Sequence, residues 1–211
     1  MSDIKVIGYK KVALQLPTNI VRASRELARY LRNFQFEFDD QGRIVFSKAK
    51  LVCGGEYTHW APDGKGFITD HNLLPTEGRN HLWSVVTNGG VANGVWYIAI
   101  YGANVAPAES WTAANFASNS TELTTQYTES TRVEFVDSTP ASGSTNNTSN
   151  KAVFTSSTDN VNIYGAGLLS ASAKGSTSGT LLSAAQFAAV RNLPTTGDTL
   201  SIDLTLSASN P

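Results

Sequence analysis

Cysteine is almost missing from this chain of 211 residues: Cys53 stands alone. That excludes an internal disulfide framework and a zinc site built from thiolates only. Long hydrophobic runs are missing too. The best, Val95 to Tyr101, has seven residues, which suits a buried strand and falls far short of a membrane helix; no membrane partner is expected. The opening Met1-Ser2-Asp3-Ile4-Lys5 carries no apolar stretch of the secretory kind, so export by that route is not expected either. Nor is there an excess of one charge. Sixteen Lys and Arg face seventeen Asp and Glu, a formal −1, which disfavours a uniformly basic nucleic-acid binder.

The spacings that carry common chemistry are also lacking. No Gly-x-x-x-x-Gly-Lys-Ser/Thr offers a phosphate cradle, and no His-Glu-x-x-His sets two imidazoles on one helical face. Gly165-Ala166-Gly167 lacks the third glycine of a dinucleotide fingerprint, and Gly175-Ser176-Thr177-Ser178-Gly179 has Thr where a nucleophile elbow needs Ser. No enzymatic activity and no cofactor are expected. The three histidines, His59, His71 and His81, lie among Glu56, Asp63, Asp70 and Glu77, but spacings of twelve and ten residues match no ligand pattern. Ordinary loop hydrogen bonding is the better reading of that group; a metal site or a hydrolase centre is the sharper and weaker one.

What the chain does have is an uneven distribution of charge and hydroxyl groups. Residues 1–50 hold ten basic and five acidic side chains, and residues 51–211 hold six basic and twelve acidic ones. Of 44 Ser and Thr, 35 lie from Ser110 onward. A basic leading segment, residues 1–78, and a Ser/Thr-rich body, residues 79–211, follow from this skew. The leading part reads as extended from Ile4 to Leu16, then helical from Thr18 to Asn33 with Ile20, Leu27, Ala28 and Leu31 roughly on one face. A hairpin follows, in which Phe34, Phe36 and Phe38 alternate with polar residues before Asp40-Gln41-Gly42 turns into Ile44-Val45-Phe46. Gly54 to Gly78, dense in Gly, Pro and polar groups, reads as a long loop.

The body reads as mainly β, an antiparallel sandwich or jelly roll. Leu200 to Leu206 alternates apolar and polar residues strictly, placing Leu200, Ile202, Leu204 and Leu206 on one buried face. Val95 to Tyr101 is apolar on both faces and must be central or partnered. Arg132–Val136, Ala152–Thr155 and Val161–Tyr164 supply further strands, with turns at Asn88-Gly89-Gly90, Asn93-Gly94, Pro140–Asn150 and Thr195-Thr196-Gly197-Asp198. Leu181–Ala184 fits a strand or a helical turn running to Val190. A short helix is predicted across Glu109–Ala114, with Pro107 before it and Glu109 at its positive end.

Two sets of side chains are candidate contact residues. Arg22, Arg25, Arg29 and Arg32, with Phe34, Phe36 and Phe38, make a basic, aromatic docking element for an acidic protein surface. Among four tryptophans, Trp60 beside Ala61-Pro62-Asp63-Gly64 is the best candidate for an exposed platform; Trp96 reads as core.

From about residue 80 onward the chain resembles head-associated structural proteins of tailed-bacteriophage virions. The residues that carry the likeness are Trp83-Ser84-Val85-Val86, Trp96 to Tyr101, Glu129-Ser130-Thr131-Arg132, Ala152-Val153-Phe154, Tyr164 to Ser170, Lys174 to Leu181 and Gly197-Asp198-Thr199-Leu200. The resemblance implies a small β-rich decoration or cement protein without enzymatic activity. It further implies a place on the capsid surface, the major capsid protein as partner, and homo-oligomers. The alternative is a tail or fibre component that binds a host surface glycan or protein.

Overall fold

The computed structural model describes residues 37–38, 44–45 and 52–209, which fall into two units, residues 1–51 with 210–211 and residues 52–209. In the first, β1 (Glu37–Phe38) pairs antiparallel with β2 (Ile44–Val45), Glu37 opposite Val45 and Phe38 opposite Ile44. The two expected strands are therefore paired, while Asp40-Gln41-Gly42 between them lies outside the described residues. The expected helix after Thr18, with Arg22, Arg25, Arg29 and Arg32, lies outside the described residues, as do Phe34 and Phe36.

The second unit is mainly β. In chain order it contains β3 (Val52–Trp60), β4 (Ile68–His71), α1 (Thr76–Thr87), β5 (Tyr97–Tyr101), α2 (Ala113–Ser120) and β6 (Val133–Glu134). There follow β7 (Ser144–Asn146), β8 (Ala152–Thr155), β9 (Val161–Leu169), β10 (Leu181–Leu193) and β11 (Thr199–Ser209). Two antiparallel sheets result. One runs β10-β9-β5-β6; the other runs β4-β3-β11-β7, with β8 also paired to β11.

β11 shows how the sequence pattern becomes packing. Leu200, Ile202 and Leu204 are fully buried and join Tyr57 and Phe154 from their own sheet. Opposite them stand Ile98 and Ile100 of β5, Ile163, Ala166 and Leu168 of β9, and Leu182, Ala185 and Phe187 of β10. That cluster is the space between the two sheets, filled as in a sandwich. The apolar second face of β5 has its own cover. Ala99, Tyr101, Leu169, Leu181 and Ala184 pack against Trp111, Ala113 and Phe116 of the α2 region. Tyr101, Trp111 and Phe116 meet edge to face, each pair of ring centroids 6.1 Å apart. Gly165 and Gly167 make this approach possible, since a Cβ on either would stand within 2.6 Å of the Tyr101 or Phe116 ring.

Two expectations are corrected, and one open alternative is decided. Gly54 to Gly78 is not a long loop but β3, a seven-residue connection, β4 and the start of α1. Residues 52–78 consequently belong to the body, with β3 paired along its whole length to β11. The helix expected across Glu109–Ala114 starts later, at Ala113. Its entry is set by Asn115, whose Oδ1 accepts the Thr112 N–H at 2.8 Å. Glu109 instead pairs with Arg79, and the acidic group at this helix start is Glu77, whose Oε2 accepts the Ala113 N–H at 2.8 Å. Of the two readings of Leu181–Val190 the strand is the one formed: both faces are covered from Leu181 to Ala185, and irregularities at Leu181/Ser183 and Gln186/Arg191 let it bend.

Helix α1 went unread in the sequence. It crosses β10 at Gly78, where a Cβ would lie 2.2 Å from the Leu182 carbonyl oxygen. An alanine in a helix normally gains about 1 kcal/mol over glycine. Here the backbone contact dominates: Gly78→Ala is expected to lower unfolding stability by about 1–3 kcal/mol in denaturant titrations, the cost of overpacking.

Candidate functional site

Arg22, Arg25, Arg29 and Arg32, expected from the sequence to meet an acidic protein surface, lie outside the described residues. Trp60 ends β3 on the outer face of the larger sheet, opposite Ser201, and is half-buried. Trp83 is the tryptophan most open to solvent, 54 % exposed on α1. Trp96 is partly buried against the core, as expected, and Trp111 is buried. Near the turn after Trp60, Phe67 is 65 % exposed, with the Lys151 ammonium 5.2 Å from its ring centre. The outer face also holds a shallow depression walled by Gly54, Gly55, Glu56, His71, Thr205 and Ser207.

The three histidines are not brought together. His71 is a surface residue of β4 beside Glu56, Nδ1 to Oε1 3.4 Å. His81 is on α1, where its Nε2 meets the Asn93 amide at 3.3 Å and its ring stands edge-on to Trp96. His59 points the other way, into the sandwich. It is fully buried, stacked on Phe187 with ring centroids 3.7 Å apart, and its Nε2 meets Asp70 Oδ2 at 2.8 Å. Asp70 in turn accepts the Ala188 N–H at 2.9 Å, tying β4 to β10. Burial holds the imidazole below its ordinary pKa, against the opposing pull of the Asp70 carboxylate. Neutral His59 donates from Nε2. A proton on Nδ1 would be a buried donor with no acceptor among the described residues.

The remaining carboxylates of this stretch hold backbone and arginine in place. Asp63 accepts the Lys65 N–H in the β3–β4 turn at 3.1 Å and the Asn192 N–H at 3.3 Å. It also faces the buried Arg191 guanidinium at 3.2 Å. Arg191 donates onward to the Gly66 carbonyl at 2.7 Å, so the turn is clamped on β10. Glu77 Oε2 accepts from Leu181 N at 2.7 Å as well as from Ala113, joining α1, α2 and β10 at one oxygen.

A second buried pair lies at the far side. Arg132 and Glu122, both essentially without solvent exposure, form two parallel hydrogen bonds of 2.8 and 2.7 Å. The guanidinium also donates to the carbonyls of Ala171 and Ser176. Beside it the Lys174 ammonium lies 3.5 Å above the Tyr127 ring and donates to that residue's carbonyl. The Glu129 carboxylate accepts the Thr155 N–H at 3.1 Å. These are the residues of the Glu129–Arg132 and Lys174–Leu181 segments, and their side chains brace the scaffold. The chemistry of such an arrangement is mechanical: ionised groups paired inside the protein, fixing loops against strands. Sequence reading missed every one of these partners, because each is far away along the chain.

Two measurements follow. Arg132→Ala leaves the Glu122 carboxylate buried and alone, and should cost about 3–5 kcal/mol in chemical denaturation. For His59 the direction with pH is set by its lowered pKa in the fold. Above about pH 6.5 both folded and unfolded chains hold neutral imidazole; below it the unfolded chain takes up a proton that the folded one refuses. The melting temperature should therefore fall as pH drops from 7 towards 5, and His59→Gln should flatten that slope.

No protein-family model and no curated protein matches the chain, so its function rests on the chemistry of these surfaces and segments.

Proposed function

We propose that this chain is a non-enzymatic structural protein of a tailed-bacteriophage virion, which decorates or cements the capsid by binding neighbouring subunits of the major capsid protein. The observation that carries the reading is the role of the residues on which the resemblance stands. Arg132, Lys174, Ser176, Gly165 and Gly167 brace loops and seat aromatic rings, and Glu129 pins β8. A sequence likeness concentrated in bracing residues supports a protein whose product is a durable shape.

Charge supports the docking half of the proposal. Two of the six basic side chains of residues 51–211, Arg132 and Arg191, are buried against Glu122 and Asp63. The body's outer surface is left acidic, and the basic groups available for an acidic capsid surface are concentrated in residues 1–50. In a repeated shell, many modest contacts add through effective concentration, so each can be weak alone.

Removal of residues 1–46 should abolish co-sedimentation with capsids. Joint replacement of Arg22, Arg25, Arg29 and Arg32 by Glu should weaken it, and wild-type binding should decline with added salt. A truncated chain that still saturates shells would overturn the docking assignment. Specific signal on a glycan array, lost in Trp60→Ala or Phe67→Ala, would favour a receptor-binding tail or fibre component instead.

A further inference from the structure

Two Asn-Gly steps, Asn88-Gly89 and Asn93-Gly94, lie in the connection between α1 and β5. In such a step the backbone nitrogen meets least hindrance on its way to the asparagine amide carbon, because glycine has no Cβ beside it. Both glycines are open, since a Cβ on Gly89 or Gly94 would meet nothing within 4 Å. Neither glycine N–H makes a backbone hydrogen bond among the described residues. The two steps differ at the asparagine. Asn88 is exposed, its own N–H is held by the Ser84 carbonyl, and no imidazole touches its amide among the described residues. Asn93 is half-buried, with its Nδ2 3.3 Å from His81 Nε2. That imidazole is itself fixed, half-buried on α1 and edge-on to the Trp96 ring with centroids 5.5 Å apart.

We infer that Asn93 is a self-modification site: its side-chain amide is hydrolysed without an outside enzyme, and His81 supplies the proton to the departing nitrogen. The Gly94 nitrogen gives its proton to solvent and attacks Asn93 Cγ, closing a cyclic imide. The Cγ–Nδ2 bond breaks, and its electron pair leaves on the nitrogen. As Cγ becomes tetrahedral, Nδ2 gains a free lone pair and turns from donor into acceptor. It must then take up a proton to depart as ammonia. An imidazolium at His81 presents Nε2–H to that atom, the position a general acid needs. Solvent returns the proton to His81, and water opens the imide to aspartate or isoaspartate. One water is consumed, one ammonia is released, and nothing is oxidised or reduced. The product matters because residues 80–108 contain no Asp, Glu, Lys or Arg. Conversion sets a lone negative charge between Val91 and Val95, which are 90 % and 41 % exposed. The isoaspartate form also lengthens the backbone there by a methylene. This inference stands apart from the capsid reading and holds or fails without it.

Peptide mapping by mass spectrometry, on full-length chain aged in neutral buffer, tests it, with Asn88 as the control inside the same molecule. Wild-type chain should convert Asn93 about tenfold or more faster than Asn88, a modest share of what one well-placed proton donor contributes. His81→Gln keeps a hydrogen-bonding group beside Asn93 but has no acid proton to give. It and His81→Ala should both bring Asn93 down to the rate of Asn88, with circular dichroism as in the wild type. A loop that was merely loosened would convert faster, not slower. Gly94 has no left-handed backbone and has room for a side chain, so Gly94→Ala should fold normally and suppress conversion at Asn93 alone. Asn93 converting no faster than Asn88 in the wild type would overturn the inference. So would a rate advantage that survives both His81 variants, or one that Gly94→Ala leaves unchanged.

Discussion

The sheet β10-β9-β5-β6 is apolar on both faces, and most of the body is arranged to keep water off it. One face requires a second sheet, which β3, β11 and β8 provide with Tyr57, Leu200, Ile202, Leu204 and Phe154. The other requires a lid, which α2 and the segment before it provide with Trp111 and Phe116. Burying strands on both sides is favourable only if their backbone partners and the few polar groups between layers are satisfied. Hence the Tyr101 hydroxyl donates to the Ala185 carbonyl at 2.9 Å, and the Tyr57 hydroxyl meets Ser183 at 3.0 Å.

Buried charge is the second organising element, and it serves connection more than net stability. A paired arginine and carboxylate roughly break even against well-packed apolar residues, yet removing one member is costly. Arg132–Glu122 and Arg191–Asp63 therefore act as conditions on the fold: the loops near Ala171 to Ser176 and the turn at Asp63 to Gly66 must be where they are. The same logic applies to Glu77, which holds three elements through two backbone N–H groups.

The amino-acid pattern revealed those strands whose packing is visible in near neighbours. Leu200 to Leu206 alternates because one face meets the core, and Val95 to Tyr101 reads as two-faced because β5 is covered twice. β3 escaped notice because Gly54, Gly55, Thr58 and His59 do not look like a strand. Its inner face is made acceptable by a histidine that burial keeps neutral while it hydrogen-bonds Asp70, and by pairing with the distant strand β11. α1 escaped for another reason. Its one fully buried residue is Gly78, Leu82 packs only partly against the core, and Trp83 and Val86 point to solvent, so the inward apolar stripe is weak in the sequence. Of the candidate contact residues, Trp60 proved half-buried; Trp83, which was not a candidate, is the tryptophan most open to solvent.

The central position of β11 has a consequence for synthesis. β3, β7 and β8 all pair with Thr199–Ser209, so three strands made earlier must wait, with one edge open, until the ribosome has delivered the last of them. Long-range pairing of this kind is slow and leaves strand edges exposed to neighbouring nascent chains. A polypeptide cut short before Thr199 would carry that exposed edge permanently, which makes translational completion itself a quality checkpoint for this protein.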